Sequence, residues 1–347
     1  MSEGAFGYMQ DFFVSGDSPL SSRNFTKKAS DAGNKIGLLF LLLTVFQLTV
    51  SFIYEIVVLV AGLFTEKAEL LLSPTALQFV IYLVSFSITV FIARTFIELR
   101  QTRWYEDADK SPVSLMLSSQ RVAPLDFAGA VLICLGAGML GNIVSSLFSI
   151  AFDAAGLPVP DVAFEMPSSV PGIVLYFISV AFLPPLFEEI LCRGFIYNLT
   201  KEYGPFVCGL VSGVTFALFH NNLAQYSIAF FMGFTMGYML CKFKNIWICI
   251  VAHFINNLCV CVIELLLVLG AIPEAMADTV TLVYIAVFLG LGLFSLIIMG
   301  ALSRLSAQRV LLSYSPSKKI FLSPGYIAFF AVSVALAIFT LFQGVLL

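Results

Sequence analysis

The stretch Gly172–Leu199 reads GIVLYFISVAFLPPLFEEILCRGFIYNL. It is long and apolar enough to cross a bilayer, which takes about 20 such residues. Its second half nevertheless holds Glu188, Glu189 and Arg193. Ionisable groups at bilayer depth are costly, so they are rare and mark working sites. This stretch therefore predicts a spanning helix with chemistry inside it.

The rest of the chain agrees with that class. Of 347 residues, 60% are hydrophobic and 11% are charged. Soluble domains carry about 25% charged residues, so too few remain here to cover a soluble surface. The reading is an all-α, polytopic transmembrane bundle of about 8–9 spans in the lipid bilayer, with no nucleic-acid partner. Nine apolar segments are visible at roughly 36–64, 76–99, 125–152, 172–199, 205–222, 224–241, 245–270, 279–303 and 325–346. Residues 1–35 form a polar tail without an early apolar run, which reads as no secretory signal peptide. The seven cysteines fall in or beside apolar segments and read as packing residues, with no disulfide framework.

Lys and Arg orient the bundle. With the N-terminus cytoplasmic, the tail carries Arg23, Lys27, Lys28 and Lys35. The even connections carry Arg100, Arg103, Lys110, Arg121, Lys201, Lys242, Lys244, Arg304, Arg309, Lys318 and Lys319. The outer connections carry Lys67, and 153–171 holds Asp153, Asp161 and Glu165 without a base. This asymmetry follows the positive-inside rule and predicts a multi-pass cell-membrane protein. The segment Pro112 to Gln120 reads as a short interfacial piece.

The chain has two histidines, His220 and His253, both in apolar stretches. On a helix, residues four apart share a face, so Glu189 and Arg193 are placed to pair. Glu188 points about 100° away and is left for chemistry. Pro184 and Pro185 remove two backbone donors just before the acids and are expected to kink or break the helix. Broken helices at membrane depth are tolerated where they line a cavity. Glu202-Tyr203-Gly204-Pro205 is a turn signal midway between Glu188 and His220, so a hairpin there brings both to one depth. His253 and Asn257 are again four apart. Asn221, Asn222 and Asn256 read as helix-end or bridging amides.

Together, Glu188-Glu189-x-x-x-Arg193, Phe216-x-x-x-His220 and His253-x-x-x-Asn257 resemble the CPBP intramembrane proteases. That family includes the CAAX prenyl endopeptidases of the Rce1 type and the bacterial Abi group. The resemblance covers about residues 172–262, which become a catalytic core. An N-terminal helical part (36–152) precedes it and a C-terminal one (263–347) follows. By position, the resemblance implies that Glu188 activates water, which His220 helps to hold. His253 and Asn257 would donate to the oxyanion, while Glu189, Arg193 and Phe216 support the site. The implied substrate is a membrane-anchored, prenylated or otherwise hydrophobic peptide.

Glu188, His220 and His253 are also the residues that would hold zinc with an open water position. No His-Glu-x-x-His helix is present, and Asn257 is a poor zinc ligand but a good donor. The metal-free reading is favoured, with zinc the alternative cofactor. A proton-coupled transporter or a non-catalytic scaffold are the other function classes. No inverted repeat supports the transporter.

Overall fold

The computed structural model describes residues 19–63, 73–104, 109–160, 166–302 and 316–346. Among them every element is helical apart from one isolated bridge between Ser119 and Asn245. The helices are α1 (Pro19–Gly62), α2 (Pro74–Arg103), α3 (Pro112–Met116), α4 (Pro124–Ala154) and α5 (Val170–Tyr203). There follow α6 (Pro205–Phe219), α7 (Leu223–Phe243), α8 (Trp247–Val268), α9 (Ala277–Ala301), α10 (Pro316–Phe321) and α11 (Pro324–Leu346). All nine apolar segments are helices, and seven of the helices are long and apolar enough to cross a membrane. This is a multi-pass helical membrane protein.

Helix α6 has 15 residues. At about 1.5 Å per residue it falls short of a hydrocarbon core about 30 Å thick. It instead packs back to back with α7 as a tight hairpin. The seam is glycine. A Cβ on Gly213 would lie 2.8 Å from the Phe230 carbonyl oxygen, and one on Gly237 would lie 2.7 Å from Ser212 Cβ. Small residues spaced four apart let helix backbones approach in lipid, where no hydrophobic force drives them together. The turn into α6 passes through Gly204 at φ 88°, a left-handed value that glycine adopts without strain. The turn out of it is His220–Asn222, with Asn222 Oδ1 capping α7 at the Gln225 N–H.

Helix α5 is not broken at the prolines. It passes through a π-helical turn at Phe177–Phe182, resumes as α-helix over Leu183–Glu189, and turns π again at Ile190–Phe195. The first turn has a local cause. The Val180 carbonyl would be met at i+4 by Pro184 and at i+5 by Pro185, and neither has an N–H. One apolar cluster joins α1, α2, α5, α6 and α11, and another joins α4, α7, α8 and α9. The site lies between them.

Helix α1 begins well before its apolar run, inside the polar tail. Ion pairs hold that polar turn. Lys28 meets Glu202 at 3.1 Å and Arg103 meets Asp31 at 3.3 Å, while Arg100 meets the same Glu202 at 2.7 Å. At this end of the bundle the Gln120 N–H also donates to the Lys244 carbonyl at 2.8 Å, and the Ile246 N–H to the Ser118 carbonyl at 2.8 Å. Gly33 packs on the Ile320 backbone there too. The tail and the connections near 100–120, 201, 244 and 320 therefore share one face, as the alternation of basic residues requires. Arg304, Arg309, Lys67, Asp161, Glu165 and the Arg23 side chain lie outside what the structure describes. Helix α3 forms the first part of the segment Pro112–Gln120, with Leu115 and Met116 buried. The seven cysteines are free thiols.

Candidate active site

Three helices build the site. Helix α5 supplies Glu188, Glu189 and Arg193, α6 supplies Phe216 and His220, and α8 supplies His253 and Asn257. Glu189 is fully buried and uses both oxygens. Its Oε1 meets His253 Nδ1 at 2.7 Å, and its Oε2 lies 3.0 Å from Arg193 Nε. The second contact is a charge pair whose N–H is not aligned for a hydrogen bond. Glu189 thus fastens α5 to α8. A buried carboxylate with two cationic or protonated neighbours is a far cheaper arrangement than a lone one.

Phe216 is the centre of the aromatic packing. The Arg193 guanidinium carbon sits 4.1 Å from its ring centroid. The His220 ring meets it edge-on at 4.7 Å and the His253 ring at 5.9 Å. One apolar side chain therefore sets the spacing of one cation and two imidazoles.

His220 caps the C-terminus of α6, and its Nδ1 lies 2.7 Å from the Phe216 carbonyl oxygen. A carbonyl only accepts, so Nδ1 carries the proton and the neutral ring presents a lone pair at Nε2. Glu188 is 3% exposed and takes no part in the Glu189–Arg193 pair. Glu188 and His253 both act electrostatically on His220. The hairpin at Gly204 brings α6 back against α5.

Asn257 does two things. Its Nδ2 donates to the Val180 carbonyl at 2.9 Å, the oxygen that the two prolines deprive of a helical donor. Its Oδ1 accepts from Asn256 Nδ2 at 3.0 Å, and Asn256 Oδ1 accepts from the Tyr284 hydroxyl at 3.0 Å. Asn256 is therefore the bridging amide its sequence context suggests.

Two residues escape the motifs. Tyr284 on α9 anchors the amide chain, and Tyr82 on α2 donates its hydroxyl to Glu188 Oε1 at 2.5 Å. Tyr82 lies 106 residues from Glu188 in sequence, and Tyr284 lies on the helix that follows α8. No local pattern separates them from the other tyrosines, of which the chain has 12. Among the described residues, no three His, Cys, Asp or Glu side chains are grouped so as to hold a metal ion.

Residues 170–259 match the family profile described as Type II CAAX prenyl endopeptidase Rce1-like. That span runs from the start of α5 into α8 and contains all seven motif residues. The chain is also similar to "Putative membrane peptidase YdiL" of Bacillus subtilis (strain 168), 29% identical over 140 residues. The alignment covers 40% of this chain and 54% of that protein, so it spans about half the length of the relative. No solved structure matches. The acid pair, the Phe216–His220 pair and the His253–Asn257 pair all fall within the matched residues on three packed helices, so residues 170–259 of this chain are similar to the Rce1-like family.

Proposed function

We propose that this chain is an intramembrane endopeptidase. Its substrate is a membrane-associated peptide, and Glu188 is its general base. Glu188 takes a proton from water, with His220 Nε2 accepting the water's other hydrogen. The hydroxide attacks the scissile carbonyl carbon, and the oxyanion receives hydrogen bonds from Asn257 Nδ2 and from His253. Glu188 then passes its proton to the leaving amine nitrogen as the C–N bond breaks. His253 directs Nδ1–H at Glu189, so it donates from Nε2 only as the doubly protonated ring. The observation that carries the reading is the division of labour between adjacent acids. Glu189 is consumed by Arg193 and His253, while Glu188 stands outside that pair and acts electrostatically on His220.

The base, the water holder and the donors act together without a metal in this scheme. Asn257, an amide that donates well and binds zinc poorly, supports that form. Cleavage is then expected to survive a strong chelator. Loss of activity that returns with stoichiometric zinc would overturn the metal-free form. The N-terminus is assigned to the cytoplasm of a cell-membrane protein because the face shared by the tail and the 100–120, 201 and 244 connections is the basic one.

The test of the activity is a comparison of peptide termini in membranes carrying the wild type or Glu188→Ala. The expected result is a terminus that disappears in the variant while its uncut precursor accumulates. Identical termini in both would reject the reading.

A further inference from the structure

Glu188 is held from outside the matched region. Tyr82 opens the π-helical turn Tyr82–Phe86 in α2, and its hydroxyl donates to Glu188 Oε1 at 2.5 Å. Both side chains are buried, Tyr82 at 7% exposure and Glu188 at 3%. The phenol is not free to swing. Its ring stacks on Phe86 with centroids 4.6 Å apart and planes at 21°. Phe86 in turn meets Phe219 edge-on at 5.8 Å, next to His220, and Phe187 at 6.0 Å, next to Glu188. One aromatic chain therefore ties the Tyr82 hydroxyl to the two helices that carry the base and the water holder.

We propose that Tyr82 is a positioning residue for the hydrolysis, which rests on the base assignment of Glu188 made above. A glutamate has three side-chain torsions and two equivalent oxygens. Pinning Oε1 leaves Oε2 as the oxygen that meets water. A well-oriented reacting group removes entropy from the barrier before the reaction begins. When Glu188 takes the water's proton, that proton sits on Oε2. The Tyr82 O–H stays on Oε1, and the proton leaves from Oε2 to the amine nitrogen. Tyr82 itself gains and loses nothing.

The test uses the full-length protein in lipid vesicles with a peptide substrate identified by the terminus comparison. Tyr82→Phe keeps the ring and its stack and removes the hydroxyl. A hydrogen bond to a charged group is worth about 1.5–3 kcal/mol, so kcat is expected to fall roughly 10- to 150-fold with KM little changed. Removing the donor from the buried Glu188 oxygen also costs stability, so the unfolding temperature is expected to fall as well. Phe86→Leu loosens the stack but keeps the hydroxyl, so it is the destabilised control, and its kcat is expected to stay well above that of Tyr82→Phe.

Wild-type kcat in Tyr82→Phe would overturn the proposal. So would a kcat no lower than that of Phe86→Leu at a comparable loss of unfolding temperature. If the wild type cleaves and Glu188→Ala does not, such a result sinks Tyr82 alone. If Glu188→Ala cleaves like the wild type, the base assignment falls first, and the role of Tyr82 falls with it.

Discussion

Asn257 shows how one side chain carries two duties that a substitution can separate. Removing its amide leaves the part-buried Val180 carbonyl without a donor, which costs about 1–3 kcal/mol of stability. It also removes an oxyanion donor, a loss of roughly 10²–10³ in rate. Asn257→Ala is expected to show both effects. Adding Pro184→Ala returns a backbone N–H four residues after Val180, so the double variant should regain the unfolding temperature and still cleave slowly. If cleavage recovers together with stability, Asn257 is a prop for the helix and does not touch the oxyanion. Half of this was legible in the sequence. Pro184-Pro185 announces an orphaned carbonyl, and Asn257 announces a buried amide. That the two are partners depends on how α8 packs on α5, which no local spacing encodes.

At the scale of elements, the seam between α6 and α7 decides where His220 stands. The close approach at Gly213 and Gly237 leaves no room for a side chain. Gly213→Val is expected to push the helices apart, with an overpacking penalty of about 1–3 kcal/mol. It should lower the unfolding temperature in detergent and cut cleavage, although position 213 lies two turns from the histidine. Wild-type activity in this variant would show that the hairpin does not set the site. The hairpin itself was readable, because a turn signal at Gly204-Pro205 splits a long apolar tract. The π-helical turns were not. They depend on i→i+5 bonding that sequence periodicity does not display, and each of the three among the described residues carries a site contact: Tyr82, Val180 and Arg193. Rare π turns recur at functional sites because they redirect a side chain or free a backbone group. Glu189 and Arg193 meet across the last of these turns, so their pairing is set by local geometry and not by a regular i,i+4 step.

For the whole molecule, the basic segments converge on one face while 153–160 and 166–169 belong to the other. Single cysteines at Ser119 and Ser168 are expected to react with an impermeant thiol reagent from opposite sides of sealed vesicles. Labelling of both from one side would overturn the alternation of spans. The span pattern was legible because lipid demands long apolar helices, and because the basic residues keep their alternation only if none is missed. The start of α1 was not, since its polar turn is fixed by Glu202 and Arg103 from distant connections. A bundle whose site takes Tyr82 from α2 and leans on Tyr284 from α9 also depends on more than its matched region. Residues 170–259 expressed alone would lack both hydroxyls.

The π turn at Phe177–Phe182 has a consequence for insertions and deletions. A π turn stores one residue more than the α-helical turn it replaces, so it acts as slack in the helical register. Removing one residue within 177–182 lets the segment relax to an α-helical turn while Glu188 and Glu189 keep their directions. Removing one residue between the prolines and the acids, at Leu186, has no slack to draw on. It turns everything after it by about 100° relative to the first half of α5. The first kind of length change is survivable and the second is not, so chains sharing this site should differ in length at the former position and agree at the latter.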